Sequence, residues 1–473
     1  MVGAARDLSV YRQQKRQRRE RLAGAVGLIA AAMAFATALV LLTGPLPLAL
    51  GFAALLGVTV IAQNPRIGLY LLLFNAILLE QWGIVGLDPV TKWFPFYETL
   101  SGAYGAGVPV SPVEMVLLVT LAAVVLPRLI RRDGAFERGP LFLPLALFLA
   151  FVVGSIAYGV AAPGGAGPFY LNAAWAETRS FFYLGITYVL AVNLIRTQAQ
   201  LRTFVWLFIV AVGIKSVQGI VRYVYARGNG LRLESIVGHE DVVFFAALVL
   251  LLGALLFFGK GFAAVTRRQM WVMAAAVPPL VFTLLVTRRR LGFIVLGVAL
   301  ILMGLVLLRT RRDIFMRLVP VAVLVVVVYT IVFWNNTGAL GEPIRAFRSI
   351  ATPTTERDML SNAWRDLENL NIAYNIAGSP VTGLGFGRPY AFIVTQPPLD
   401  ATGFTYWRYI AHNAIYWVWM KMGLVGFMLF WNVIGSAVVL GLVTFRRLRD
   451  GYLRSLALLV AGVALMQVFF SYG

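Results

Sequence analysis

The chain has 473 residues, 60% of them hydrophobic, and a mean hydropathy of +0.81, which together exclude an ordinary soluble domain. Its net charge of +21 would point to nucleic acid in a soluble protein. Here Lys and Arg fall largely in short segments between apolar runs, as the positive-inside rule expects, so nucleic acid is excluded as a partner. With no cysteine, a disulfide, a thiolate nucleophile and a Cys-bound metal are excluded too.

The apolar runs recur at roughly the length that crosses a ~30 Å hydrocarbon layer and lack the alternation of barrel strands. They predict an all-α polytopic membrane protein of 12–13 spans, because helices satisfy their own backbone hydrogen bonds in lipid. Residues 1–22 form a basic arm with Arg6, Arg12, Lys15, Arg16, Arg18, Arg19 and Arg21. It reads as a topology signal touching anionic membrane lipids and places the N-terminus in the cytoplasm. The first apolar run lacks a small-residue cleavage pattern and reads as a retained anchor.

A multi-span scaffold, 23–334, follows, with spans expected at 23–43, 46–63 and 67–82 and a polar, aromatic outer stretch at 83–111. Further spans are expected at 112–127, 140–161, 180–195 and 201–221, with Glu177 and Arg179 in an outer Gly/Pro loop. An outer segment, 222–240, carries Arg222, Arg227, Arg232 and His239. Spans at 241–259, 270–287, 291–308 and 318–334 lead into a long periplasmic loop, 335–411, in which Thr355 to Ile372 predicts an amphipathic surface helix. The C-terminal part, 412–473, holds a short apolar stretch at 412–421 and spans at 424–445 and 453–470. This scheme counts thirteen crossings and puts most basic clusters inside. The exception is Arg288-Arg289-Arg290, which parity places outside, where topology gives it no role.

Candidate chemistry follows from that exception. Guanidinium groups bind phosphate oxygens through paired, charge-assisted bonds, so Arg288, Arg289, Arg290 and Arg357 suit an anionic headgroup, an interfacial anchor or ion pair being the plainer reading. His412, one of two histidines, stands at the loop–membrane junction and is a candidate proton acceptor, with Asn413 orienting it or capping the next helix. Gly383-Leu384-Gly385-Phe386-Gly387 permits close backbone approach, as a binding loop or as a structural turn. Lys215 lies within an apolar run with Gln218 and Arg222 at helical spacing. That face predicts either an outer cavity or a lysine paired with an acid such as Glu80 or Glu114. His239-Glu240-Asp241 reads as a helix start rather than a metal site.

His412-Asn413, Tyr416 and Gly423-Leu424-Val425-Gly426 resemble the His-Asn…Gly-x-x-Gly signature of the O-antigen ligase and polymerase superfamily. Arg357, Trp364 and Ser379 to Gly387 resemble its Arg…Trp…Pro-x-x-Gly-x-Gly loop, and Thr287 to Gly292 its Ser-Arg-small element. The likeness covers roughly Arg222 to Gly473. It implies a glycosyltransferase-type membrane fold in the bacterial inner membrane, working on the periplasmic face without metal or other cofactor. The implied donor is an undecaprenyl-diphosphate-linked glycan and the acceptor a glycan or lipid. The arginines, chiefly Arg290 and Arg357, would hold the diphosphate, and His412 would activate or position the acceptor hydroxyl. The family often carries an acid nine residues after the histidine. Lys421 stands there instead, leaving His412 without a carboxylate at that spacing. The contrasting class is a transporter or flippase of lipid-linked or anionic substrates, with Lys215, Arg222 and the arginines along its path.

Overall fold

The computed structural model describes residues 55–79, 96–99, 110–131, 136–161, 166–231, 235–259, 264–287, 289–336, 338–351, 356–398 and 406–472. The basic arm 1–22, the span 23–43 and Arg288 lie outside them, as does most of the stretch 83–111. The described elements are helical throughout. They are α1 (Pro65–Leu78), α2 (Pro112–Arg131), α3 (Phe142–Ala161), α4 (Leu171–Leu194), α5 (Gln198–Gly228), α6 (Asp241–Phe258), α7 (Ala264–Thr287), α8 (Arg290–Thr310) and α9 (Arg312–Phe333). After a short 3-10 turn come α10 (Glu342–Ala351), α11 (Glu356–Gly378), α12 (Ala414–Arg447) and α13 (Gly451–Tyr472). Nine of the described helices are long and apolar enough to cross a membrane. The chain is an all-α polytopic membrane protein.

Two compact units divide it. The first takes residues 1–72, 98–136 and 193–195, and the second takes 73–97, 137–192 and 196–473. In the first, α2 starts at a Ser-Pro-Val-Glu signal. The Ser111 amide donates to Glu114 Oε2 at 2.7 Å, and Pro112 needs no partner for the hydrogen it lacks.

The second unit is built round α6, whose Phe245, Leu248, Leu251 and Leu255 have no accessible surface. One layer of α5 and α7 residues, including Ile209, Val212, Met273 and Leu280, covers it on one side. Residues of α8 and α13, including Val295, Ala299, Leu458 and Met466, cover another. Where lipid tails are as apolar as leucine, polar bonds help hold helices together, and Thr283 Oγ1 donates to Ser216 O at 2.9 Å between α7 and α5. By contrast α9 has no fully buried residue: Ile314 and Phe315 pack partly against the core, and its valine-rich stretch 321–328 is exposed.

Three boundaries differ from the sequence reading. Helix α4 begins at Leu171, so Glu177 lies inside a helix at 2% exposure and not in an outer loop. The reason is a partner remote in sequence, Lys421, 2.7 Å away. Helix α5 has 31 residues, about 46 Å, and carries Arg222 and Arg227 on its last turns. Thr197 and Gln200 form its capping box. The expected pair 412–421 and 424–445 is one run, α12, interrupted at Gly423 with φ 65° and ψ −172°.

Candidate active site

The site is assembled from the turn before α6, the α7–α8 turn, α11 and the start of α12, all within the second unit. Asn413 caps α12, accepting from the Tyr416 amide at 3.2 Å. Its own amide donates to Asn369 Oδ1 at 3.2 Å, which ties the cap to α11. Next to it, His412 Nδ1 lies 3.2 Å from Glu368 Oε1, and the His412 backbone amide donates to Glu368 Oε2 at 3.0 Å. One carboxylate thus holds both the ring and the main chain of the histidine. The carboxylate is 1% exposed and the imidazole 41%, so the acid lies behind the ring and the ring faces outward. Trp364 closes one side, edge-on at 4.8 Å between ring centroids.

Helix α11 carries Glu368 because its buried stripe is polar. Asn371 and Asn375 lie on the same stripe, one and two turns on, and bind backbone of the following segment. The Asn371 side chain donates to Val394 O and accepts from the Ile393 and Val394 amides, at 2.9–3.0 Å. Asn375 does the same with Ala391, at 2.7 and 3.0 Å. The apolar residues Met359, Leu360, Leu370 and Tyr374 lie on the exposed side.

The guanidinium groups come from the α7–α8 turn and from α11. Arg289 Nε donates to Ser235 Oγ at 3.0 Å, and Arg289 Nη1 lies 2.9 Å from His239 Nε2. An arginine only donates, so that nitrogen holds its lone pair and the His239 proton is on Nδ1. Burial, and then the charges of Arg289, Arg365 and His412, lower the His239 imidazole to about 3. Arg290 opens α8 and reaches Ser349 O at 3.4 Å and Asn362 Oδ1 of α11 at 3.5 Å. Arg365, one turn before Glu368, is lowered by burial and by Arg290, with Glu368 opposing. The positive groups therefore lie within one another's fields, and an anion among them relieves that repulsion.

Of the residues expected from sequence, Arg289, Arg290 and His412 come together here. Arg357 stands in the first turn of α11, but its side chain, like Arg288, lies outside the described residues. Arg365, Glu368 and His239 complete the group, and sequence reasoning did not assign them to it.

Lys215 and Arg222 take a different place. Lys215 is 1% exposed and pairs with Asp241 at 3.2 Å, and Asp241 Oδ2 also accepts from the Gly238 amide at 2.7 Å. Arg222 Nη1 donates to Ile236 O at 3.2 Å. Both grip the turn that presents Ser235 and His239 to Arg289. This corrects the expectation of a lysine facing an outer cavity and agrees with the alternative of a lysine paired with an acid, here Asp241.

The glycine run is a clip between helices, which corrects its reading as a ligand loop. Gly383 and Gly385 have φ of 71° and 77°. A Cβ on Gly383 would meet Gly423 N at 2.5 Å, and one on Gly385 would meet Gly159 Cα at 2.5 Å. Their amides donate to Ser379 O at 3.0 Å and Lys421 O at 2.9 Å. Gly387 N donates to Glu177 Oε2 at 2.5 Å, and Lys421 Nζ donates to Arg388 O at 2.6 Å. So Lys421, at the position where the family often has an acid, neutralises Glu177 and holds the clip, while Glu368 supplies the carboxylate to His412.

Among the described residues no cluster of His, Asp and Glu suits a metal ion. Residues 274–431 match the family described as O-antigen ligase, a segment that spans Arg289, Arg290, α11 and His412. No curated protein matches the chain.

Proposed function

We propose that the chain, whose residues 274–431 match the family described as O-antigen ligase, is a membrane glycosyltransferase acting on a lipid-linked glycan. The donor is a glycan on undecaprenyl diphosphate, the acceptor a glycan or lipid hydroxyl, and the reaction occurs on the periplasmic face of the inner membrane. The acceptor oxygen attacks the anomeric carbon and His412 takes its proton. The bond from that carbon to the diphosphate oxygen breaks, and the lipid diphosphate leaves with the electron pair.

Glu368 orients His412 and stabilises the imidazolium that forms, as a buried carboxylate does behind a histidine base. Arg289, Arg290 and Arg365 neutralise charge as it develops on the departing diphosphate. Their donors are fixed beforehand: Arg289 by Ser235 and His239, Arg290 by Ser349 and Asn362. His239, neutral and with its proton on Nδ1, offers one more donor without adding charge.

The observation that carries this reading is the His412–Glu368 contact beside that guanidinium group. The transporter alternative relied on Lys215 and Arg222 along a path, and both are engaged with the turn before α6. The test is glycan transfer in proteoliposomes from a lipid-linked oligosaccharide to a panel of acceptors. Acceptor-dependent product that disappears in His412→Ala supports the reading; movement of the intact donor across the bilayer without product refutes it.

A further inference from the structure

Helices α6, α8 and α12 begin at the candidate active site, and their opposite ends, with the start of α13, enclose a second feature. It is a cavity of about 420 Å³ lined by Phe258, Thr310, Arg311, Arg449, Gly451 and Arg454. The 21-residue α8 puts about 32 Å between the two places. The cavity is therefore a separate site and does not depend on the catalytic reading.

Three guanidinium groups line it, and local bonds fix two of them. Arg311 Nη2 donates to Phe257 O at 3.3 Å, and Arg454 Nε donates to Phe445 O at 3.1 Å. The Arg454 guanidinium lies 4.6 Å from the Phe445 ring centroid and 5.8 Å from that of Phe258. A guanidinium carries five donors, so these bonds aim Arg311 and Arg454 while leaving further N–H groups for a ligand. Among the described residues neither these two nor Arg449 is in an ion pair with a carboxylate. The nearest acid in sequence, Asp450, caps α13 by accepting from the Leu453 amide at 2.9 Å.

Gly451 lets α13 press against the end of α6. A Cβ there would meet Phe258 O at 2.5 Å, so the floor is close-packed backbone. The apolar side chains Leu256, Leu305 and Leu308, within about one and a half turns of Phe258 and Thr310 on α6 and α8, are 60%, 57% and 36% exposed. A ligand with an anionic head and apolar tails matches both parts. The positive-inside rule accounts for arginines at these helix ends. It does not require three of them around one cavity.

We propose that this cavity binds the phosphate of an anionic lipid headgroup, held by Arg311, Arg449 and Arg454 with the acyl chains along α6 and α8. The experiment is the thermal unfolding midpoint of the purified full chain in detergent micelles. Dioleoylphosphatidylglycerol, dioleoylphosphatidylcholine or inorganic phosphate is added. Phosphatidylglycerol raises the wild-type midpoint by at least about 2 °C and phosphatidylcholine does not, as expected of a ligand that binds only the folded state. Arg311→Gln with Arg454→Gln abolishes the shift, whereas Arg267→Gln with Arg268→Gln, at exposed positions, keeps it. Should the double variant fail to fold, Arg449→Gln decides, lowering the shift without moving the lipid-free midpoint. An equal shift with inorganic phosphate, no shift with phosphatidylglycerol, or a full shift in the cavity variants overturns the proposal.

Discussion

Glu368 and His412 are joined twice, once through the ring at 3.2 Å and once through the backbone amide at 3.0 Å. The carboxylate is buried and the imidazole is half in solvent, so the pair has a fixed back and an open front. Glu368→Gln keeps the shape but removes the charge that stabilises a protonated ring. Transfer is expected to fall about 10²- to 10⁴-fold in kcat with little change in KM, the range typical of general base catalysis. Steady-state kinetics on the inserted variant check this, with Glu368→Asp expected to recover part of the loss.

Arg290 sits at the first position of α8 and leans on α11. Arg290→Gln is expected to lower kcat about 10²- to 10³-fold, the cost of removing one donor from a leaving group. Lysine in its place keeps charge but not the planar fork, and recovers less than half of the loss on a logarithmic scale. The rates of the two variants, at equal expression in the membrane, give the comparison.

His239 supplies a pH test. Its imidazole is lowered to about 3 by burial and by neighbouring positive charge. A base depressed in the folded state contributes stability above its unfolded value that is lost as pH falls towards the folded one. Between about pH 6.5 and pH 3 the unfolded chain takes up a proton that the folded ring refuses. His239→Gln therefore loses less stability than wild type between pH 7 and about pH 4.5, measured as the change in thermal midpoint. Its transfer rate against pH from about 6 to 8 keeps the wild-type shape at lower amplitude, because the ring is neutral throughout.

Lys421 and Glu177 form a fully buried pair. Removing one partner strands a charge, so Lys421→Met is expected to destabilise the protein by about 3–5 kcal/mol. Lys421→Met with Glu177→Gln recovers most of that. Unfolding midpoints of the single and double variants test the pairing, and equal losses in both contradict it.

Much of the fold was legible, because span length and positive-inside charge are strong signals in an apolar chain. The arginines after α7 were legible as an excess of charge that topology did not need, and His412 as a histidine at a loop–membrane junction. Glu368 was not, because a glutamate on an amphipathic helix reads as a solvated face. Only the fold shows that the polar stripe of α11 is its buried one. Arg365 was hidden for the same reason. The glycine run was ambiguous by nature, since positive φ serves a clip between helices as well as a phosphate loop. Lys421 read only as a departure from the family's acid and Glu177 only as a loop residue, until folding paired them.

The proposed mechanism has guanidinium groups from two remote segments act on one diphosphate. Its most direct measurement is a double-mutant cycle on binding of undecaprenyl diphosphate, with Arg289→Ala, Arg365→Ala and the double variant. Groups that share one ligand are non-additive, and the account predicts a coupling of at least about 1 kcal/mol. Losses that add within about 0.3 kcal/mol, or no effect of Arg365→Ala, would contradict it.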